Sequence, residues 1–176
     1  SERENVEFVR GLRTHQVSFK FLLQRDDRPT FGRRWWLVSV VTIAVIPARG
    51  GSTRVPRKNL ADFGGRPLLA RTIEAAQAST CIDEVYVSSD DLEILSVAES
   101  LGANHFGVRE RYADNFSPSS HVTIDVVAIW ERTHGVSPNS VVQLLPTCPL
   151  RGADDIDKFI RGSNGEASAG LVMSVA

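Results

Sequence analysis

The sequence predicts an α/β fold, a three-layer α/β/α sandwich around a mostly parallel sheet. From Val41 onward, short β-branched runs alternate with stretches that carry a helical period, as is typical of strand–helix–strand units. Crossovers in such units are right-handed, so the strands run parallel and helices cover both faces of the sheet. The chain has 176 residues and is 42% hydrophobic, so it can bury a core of its own.

Strands are predicted where β-branched and apolar residues cluster between turn residues. They cover residues 41–46, 84–87, 104–108, 140–145 and 171–175. Ligands of parallel sheets bind beyond the carboxyl ends of the strands, so the loops after these strands are expected to hold the functional residues.

The first two predicted helices have recognisable ends. One begins near Pro67, which suits the first helical position because it has no N–H to leave unpaired, and runs to about Gln77. The other follows a cap at Asp90 or Asp91 and stops at Gly102. Its apolar residues recur at helical spacing, at Ile94, Val97, Ala98 and Leu101.

Two further helices are predicted after the middle of the chain. Ser119 or Ser120 can cap the third. One side of that helix carries Val122, Val126, Ile129 and Thr133. The fourth has Asp154 in its first turn, where a carboxylate is favourable, and ends near Ile160.

Residues 1–40 differ from the rest of the chain. They carry 8 basic and 5 acidic side chains, whereas residues 41–176 carry 12 and 16. We interpret residues 1–40 as an N-terminal lead of unknown role that need not be ordered, either a tag-like or upstream extension or a folded element with its own role. Residues 41–176 form the patterned domain, which stops after the strand-like run 171–175 and is therefore expected to be incomplete at its C-terminus.

Several classes of protein are disfavoured. The formal net charge of −1 argues against a dedicated nucleic-acid protein, although the arginines of the lead keep polyanion binding as a further hypothesis. The longest apolar run, residues 35–46, is too short to span a membrane. Cys81 and Cys148 have no metal-ligand spacing. We therefore expect a cytoplasmic protein that neither associates with a membrane nor binds a nucleic-acid partner.

The basic loop, residues 47–59, follows the first strand of this domain. It carries Arg49, Arg54, Arg57 and Lys58, which can neutralise a triphosphate. The pair Gly50-Gly51 lets the backbone turn tightly and bring N–H groups close to phosphate oxygens. Its spacing matches neither a Walker A loop nor a dinucleotide fingerprint. The alternative is a solvated basic loop whose glycines only make a turn.

Ordered motifs after Val41 carry a resemblance to a known family. They read I-A-V-I-P-A-R-G-G-S from Ile43, P-R-K-N from Pro56, G-R-P-L from Gly65, V-S-S-D-D from Val87 and L-L-P-T-C-P-L-R from Leu144. In this order they resemble the acylneuraminate cytidylyltransferases, the CMP-sialic acid synthetases. The resemblance covers nearly all of the patterned domain and none of the lead.

The resemblance implies a Rossmann-like nucleotidyltransferase fold and a transferase activity. The implied reaction transfers CMP from CTP, with Mg²⁺, to the anomeric hydroxyl of an acidic nine-carbon sugar, a sialic acid-type nonulosonic acid, and releases pyrophosphate. It also implies a homodimer when the chain is complete. Residues 41–176 are then a cytidylyltransferase domain.

The family's site residues are carried over position by position. The resemblance implies catalytic roles for Arg49 and Lys58. It implies CTP contacts at Arg49, Gly50, Gly51, Ser52, Lys58, Asn59, Arg109 and Ser120, with Arg54 as the cation that replaces a lysine absent at Thr53. Sugar contacts are assigned to Gln143, Pro146 and Thr147.

Three departures leave alternatives open. The run S-T-R-V-P from Ser52 is closer to the related 3-deoxy-manno-octulosonate cytidylyltransferases, which makes that sugar the alternative substrate. Leu145 occupies the place of a sugar-binding Gln, so Gln143, two residues upstream on the same strand face, is the substitute, and a pseudaminic or legionaminic acid is permitted. The family's metal-binding aspartates lie in a further region, so Asp90 is the metal candidate here and a nucleotide-binding remnant without activity is a third hypothesis.

Overall fold

The computed structural model describes residues 8–10, 20–25, 35–52, 55–113, 117–163 and 172–173. These fall into two compact units, and the boundary lies between Val41 and Thr42. Each unit has a sheet of its own. Within the described residues, no helix is both long enough and apolar enough to cross a membrane.

The first unit contains an antiparallel three-stranded sheet in the order β1-β2-β3. Its strands are β1, Phe8–Arg10, β2, Lys20–Arg25, and β3, Trp35–Val40. The β2–β3 ladder pairs Lys20 with Val40 and Arg25 with Trp35. From the sequence, no strands were predicted in residues 1–40, and a folded element there was left as one of two alternatives. Aromatic and β-branched side chains favour the strand, and the interspersed charges hide the alternating period.

The second unit is built on a parallel four-stranded sheet in the order β5-β4-β6-β7. Its strands are β4, Thr42–Pro47, β5, Glu84–Ser88, β6, Ser140–Gln143, and β7, Val172–Met173. Val45 on the central strand β4 lies opposite Tyr86 and Gln143. The predicted parallel sheet is confirmed, and its carboxyl ends meet along one edge.

Four helices and a 3₁₀ turn connect the strands. The helices are α1, Leu68–Ala78, α2, Leu92–Ser100, α3, Ser119–His134, and α4, Ala153–Ser163; the 3₁₀ turn is Lys58–Leu60. Asp91, the second of the two predicted cap residues, accepts hydrogen bonds from the N–H groups of Glu93 and Ile94 at 2.8 and 3.4 Å. Gly135 ends α3 with a φ of 71°.

The two faces of the sheet hold different helices. Ala44, Ile46 and Val142 belong to a buried cluster with residues of α1, α2 and α4. Side chains alternate along a strand, so the other face carries Gln143 and Glu84, which bond to residues of α3. The three-layer α/β/α sandwich expected from the sequence is therefore confirmed.

Two predicted features have a different form. The expected strand at residues 104–108 is a single parallel bridge between Asn104 and Tyr86. Gly107, with a φ of 91°, lies after the bridge, and the N–H of Arg109 bonds to the carbonyl of Ser89 at 2.7 Å. The cap of α3 is Pro118, with no side-chain hydrogen bond, and Ser119 and Ser120 are the first two helical residues. Of the expected strand 171–175, only Val172–Met173 lies within the described residues.

Candidate functional site

A cavity of about 440 Å³ lies at the carboxyl ends of β4 and β6. Four segments form its wall: the basic loop, the segment that begins at Arg109, the start of α3 and the loop after β6. The lining residues are Pro47, Arg49, Ser52, Val55, Lys58, Asn59, Arg109, Tyr112, Ser117, Ser119, Val122, Leu145, Pro146 and Thr147. Residues from four separate parts of the sequence thus share one cavity, at the edge where a parallel sheet binds its ligands.

The basic loop contributes four polar side chains with different surroundings. Arg49, Ser52, Lys58 and Asn59 line the cavity. Asn59 is only 4% exposed, and its Nδ2 donates a hydrogen bond of 2.8 Å to the backbone carbonyl of Arg49. Asn59 therefore fixes the backbone that carries Arg49, while Lys58 lines the cavity wall.

Arg109 is a buried cation beside the cavity, only 9% exposed. Its Nη1 donates to the carbonyl of Ser88 at 3.4 Å, its Nη2 lies 3.8 Å from Asp90 Oδ1, and its buried Nε has no hydrogen-bond partner among the described residues. Burial lowers the pKa of Arg109; Asp90 and Asp125 raise it, and Arg49 lowers it further. Guanidinium groups stay protonated in proteins, so a permanent charge with an unused donor lies at this wall.

Asp90 joins the basic loop to the Arg109 segment. Its Oδ1 accepts a hydrogen bond of 2.9 Å from the N–H of Gly50 and lies near the Arg109 guanidinium. Next to it, Asp91 packs so closely on Gly50 that a Cβ at Gly50 would lie 2.6 Å from Asp91 Oδ2. Gly50 and Asp90 thus hold the loop in place without lining the cavity.

The metal prediction concerns Asp90, because the described residues form no larger cluster of possible ligands. They contain no group of three or more His, Cys, Asp or Glu side chains that could hold a metal ion. Asp90, the predicted metal ligand, directs a carboxylate oxygen at the N–H of Gly50 and at the Arg109 cation. Mg²⁺ is bound through one or two carboxylates together with substrate phosphates and waters. Asp90 Oδ1 is engaged as an acceptor within the protein, and the role of Asp90 as a metal ligand stays a prediction.

Other predicted residues lie away from the cavity wall. Arg57 pairs with Asp91 at 3.3 Å and Glu93 at 2.7 Å and is not among the lining residues, so its part in neutralising a triphosphate stays a prediction. Gly51 and Ser120 are absent from the lining residues that the structure describes. Arg54 and its neighbour Thr53 lie outside the described residues, so the proposed replacement of a lysine by Arg54 stays a prediction.

The loop after β6 reaches the cavity through Leu145, Pro146 and Thr147. Gln143 does not reach it. The Gln143 side chain is 2% exposed and its Nε2 donates a hydrogen bond of 2.6 Å to Ser119 Oγ on α3. The strand directs this side chain into the layer between sheet and helix, which is why Leu145, and not Gln143, forms the wall.

Several lining residues were not predicted from the sequence. Tyr112 has a φ of 56° and its ring lies 5.3 Å from that of His121 on α3. Ser119 and Val122 are three residues apart and therefore share one face of the first turn of α3. That spacing was available as a signal, whereas the left-handed conformation at Tyr112 leaves no mark in a sequence.

Comparison with known proteins gives a family for this chain. The family model for cytidylyltransferases matches residues 43–158. The pseudaminic acid cytidylyltransferase of Campylobacter jejuni serotype O:2 is 39% identical over 127 residues, which are 69% of this chain and 54% of that protein. The 3-deoxy-manno-octulosonate cytidylyltransferase of Thermodesulfovibrio yellowstonii is 51% identical over 122 residues, 69% of this chain and 47% of that protein.

A third relative and a solved structure agree with these. The CMP-N,N'-diacetyllegionaminic acid synthase of Legionella pneumophila is 41% identical over 115 residues, 65% of this chain and 49% of that protein. The structure of CMP:2-keto-3-deoxy-manno-octonic acid synthetase complexed with CTP has 26% identity and a TM-score of 0.57, over 72% of this chain and 48% of that one. The chain spans about half the length of the curated relatives it matches. The matched region contains every described lining residue of the cavity, and the chain belongs to the cytidylyltransferase family.

Proposed function

We propose that this chain binds CTP in the 440 Å³ cavity and forms the nucleotide-binding part of an enzyme that transfers CMP to an acidic sugar. The observation that carries the proposal is the convergence of Arg49, Lys58 and buried Arg109 on one cavity at the carboxyl edge of the parallel sheet. Three cations from two separate segments suit a triphosphate, and the cavity has room for a nucleotide.

The proposed reaction is a nucleotidyl transfer. The anomeric hydroxyl oxygen of the sugar attacks the α-phosphorus of CTP, the new P–O bond forms and the bond from the α-phosphorus to the bridging oxygen breaks. Pyrophosphate leaves with the bonding electron pair, and the hydroxyl proton passes to solvent. Arg49 and Lys58 act by offsetting the charge that develops on the leaving pyrophosphate and on the attacked phosphate.

The proposed sugar is a sialic acid-type nonulosonic acid. The relatives named for pseudaminic and diacetyllegionaminic acid, at 39% and 41% identity, support this choice. A second candidate is 3-deoxy-manno-octulosonate, because a cytidylyltransferase named for it is 51% identical over 122 residues. Leu145 at the wall, where a polar sugar contact was expected, is consistent with a sugar other than the common sialic acids.

Three further properties complete the proposal. Mg²⁺ is proposed as the cofactor on the family resemblance, with Asp90 as the candidate ligand. A homodimer is proposed on the same ground. A cytoplasmic setting is proposed because the reaction consumes CTP and the described cysteines, Cys81 and Cys148, are free thiols.

The first test is calorimetric titration of the chain with CTP, ATP, GTP and UTP, with Mg²⁺ and with EDTA. We expect CTP to bind more tightly than the other three nucleotides and Lys58→Ala to weaken that binding. Lys158→Ala is the matched control, because Lys158 is exposed on α4 and does not line the cavity. Equal binding of all four nucleotides, or none, would contradict the proposal.

The second test measures pyrophosphate release with CTP and a panel of nonulosonic acids and 3-deoxy-manno-octulosonate. The acid that supports release identifies the sugar. Selective CTP binding without release from any acid would favour the third hypothesis, a nucleotide-binding remnant. Sedimentation of the same preparation tests the dimer.

A further inference from the structure

A second cavity, of about 220 Å³, lies between the end of β5, residues 106–111 and the middle of α3. Its wall is mostly apolar and includes Tyr86, Val87, Phe106, Val108, Val126 and Ile129. Among the described residues, Arg109 is the one that lines both this second cavity and the 440 Å³ cavity. The second cavity is therefore a separate space that shares one cation with the proposed nucleotide site.

Two aromatic rings give the second cavity a surface that suits a flat apolar body. The rings of Tyr86 and Phe106 stack with their centroids 4.9 Å apart and their planes at 16°. Phe106 is exposed, so a further ring can lie against it. The Tyr86 hydroxyl already donates a hydrogen bond of 2.8 Å to Glu84 Oε2. Tyr86 therefore offers its ring to a ligand, and not its hydroxyl.

The charged residues of this wall differ in how well they are matched. Arg111 and Asp125 pair with each other at 3.4 Å, and Glu110 is exposed to solvent. Arg109 is buried, its ion pair with Asp90 is long at 3.8 Å, and its Nε has no hydrogen-bond partner among the described residues. A buried cation with an unused donor favours an anionic acceptor. The wall thus combines an apolar aromatic surface with one cation that a carboxylate would complement.

We propose that the second cavity binds a small aromatic carboxylate, with its carboxylate at Arg109 and its ring against Tyr86 and Phe106. The cavity is smaller than the sites of drug-sized ligands, which occupy about 300–1,000 Å³. A single ring that carries one carboxylate suits this size. The proposed nucleotidyl transfer makes no use of this cavity, so the inference goes beyond the proposed function.

Because Arg109 lines both cavities, the second ligand is coupled to CTP. A carboxylate bonded to Arg109 offsets positive charge that would otherwise attract the phosphates of CTP. Each ligand therefore weakens the binding of the other, and by the same factor. The coupling rests on the proposed function, whereas binding of a carboxylate to the second cavity does not.

The first test is an NMR chemical-shift titration of the ¹⁵N-labelled chain, without nucleotide, with benzoate, benzyl alcohol and benzylamine. These probes share the ring and differ in charge. We expect benzoate to bind about tenfold or more tightly than the other two and to shift the amide signals of residues 106–111 and of α3. The absence of saturable shifts, equal affinity for benzoate and benzyl alcohol, or tighter binding of benzylamine would overturn the inference.

The second test fills the cavity. Val108 is exposed, lines the second cavity and does not line the 440 Å³ cavity. We expect Val108→Trp to lower benzoate affinity by about tenfold or more and to keep the parent affinity for CTP. Val136→Trp is the matched control, because Val136 is also exposed and lines neither cavity. If Val108→Trp does not fold, Phe106→Ala replaces it, and an unchanged benzoate affinity there overturns the inference.

The coupling is tested by calorimetric titration with CTP in saturating benzoate, against sodium chloride of equal ionic strength. We expect CTP affinity to fall about fivefold in the parent and to stay unchanged in Val108→Trp. If benzoate binds and CTP affinity does not change, the coupling is wrong and the second site stands. If the parent binds benzoate but not CTP, the proposed function fails and the second site stands. If it binds CTP but not benzoate, the inference fails alone.

Discussion

At the scale of single residues, Lys58 and Arg49 are expected to act on charge that develops during the reaction. Both line the cavity. We expect Lys58→Ala or Arg49→Ala to lower kcat/KM for CTP by about 10²–10³, because groups aimed at developing charge contribute on this order. Steady-state kinetics of pyrophosphate release measures the change, and thermal unfolding checks that the fold is retained. Unchanged turnover in both variants would contradict the assignment of the basic loop to the active site.

Gly50 is the second single-residue case, because its environment has no space for a side chain. A Cβ there would lie 2.6 and 2.8 Å from Asp91 Oδ2 and Cβ, whereas a Cβ at Gly51 would meet nothing within 4 Å. We expect Gly50→Ala to destabilise the chain by about 1–3 kcal/mol through overpacking and to weaken CTP binding as the loop shifts. Urea unfolding and calorimetry measure the two effects. Gly51→Ala is the control, and equal effects of the two variants would contradict this packing argument.

At the scale of elements, Asp157 connects α4 to the end of α1. Its carboxylate accepts hydrogen bonds from Ser79 Oγ at 2.5 Å, from the N–H of Thr80 at 3.1 Å and from the N–H of Cys81 at 3.3 Å. Burial alone would raise the pKa of Asp157, but the hydrogen bonds from these three residues outweigh it and hold the pKa well below its usual range. The carboxylate is therefore bonded more strongly in the folded chain than in the unfolded one.

The sign of the pH dependence follows from the lowered pKa. The contribution of Asp157 is present above the ordinary carboxyl pKa of about 4 and is lost as the pH falls from there toward the lower folded value. We expect Asp157→Asn to cost about 2 kcal/mol of unfolding free energy at pH 7 and to flatten the decline in stability below pH 4. Urea unfolding at several pH values measures both. Asp154→Asn, at an exposed position of the same helix, should leave the acid decline in place.

The elements also show what a sequence can and cannot predict. Hydrophobic period and end residues were sufficient for α1, α2 and the parallel strands, since these depend on local pattern. The strand at residues 104–108 was over-predicted: only the bridge at Asn104 forms, and Gly107, with a φ of 91°, interrupts the extended backbone after it. β2 and β3 were missed, because an antiparallel ladder between Lys20 and Val40 is a long-range pairing that charges in the sequence conceal.

Some residues of the candidate site could likewise be predicted from the sequence and others could not. The basic loop and the Pro146-Thr147 loop were found from motif and composition, and both line the cavity. The sequence did not reveal that Gln143 lies outside the cavity. Alternation along a strand puts Gln143 and Leu145 on one face, but β6 ends at Gln143, so the rule does not extend to Leu145. The choice of Ser119 over Ser120 depends on the register of the first turn of α3, which Pro118 sets.

At the scale of the whole molecule, every described lining residue of the cavity belongs to the unit Thr42–Ala176. The buried cluster likewise extends from Ala44 to Ile160 within that unit. A compact unit with its own core and its own site is expected to fold and bind without the rest of the chain. We therefore predict that a chain starting at Val41 keeps the CTP affinity of the parent within about twofold, a difference well below the 1.4 kcal/mol that corresponds to tenfold.

The truncated chain also separates the alternatives for the lead. Calorimetry with CTP and thermal unfolding of both chains measure the comparison, and the parent serves as its own control. If residues 1–40 are an upstream extension, affinity for CTP is retained and the transition of the second unit keeps its midpoint. If they are a folded element that the site needs, affinity falls by tenfold or more. The second result would show that residues 1–40 contribute to CTP binding.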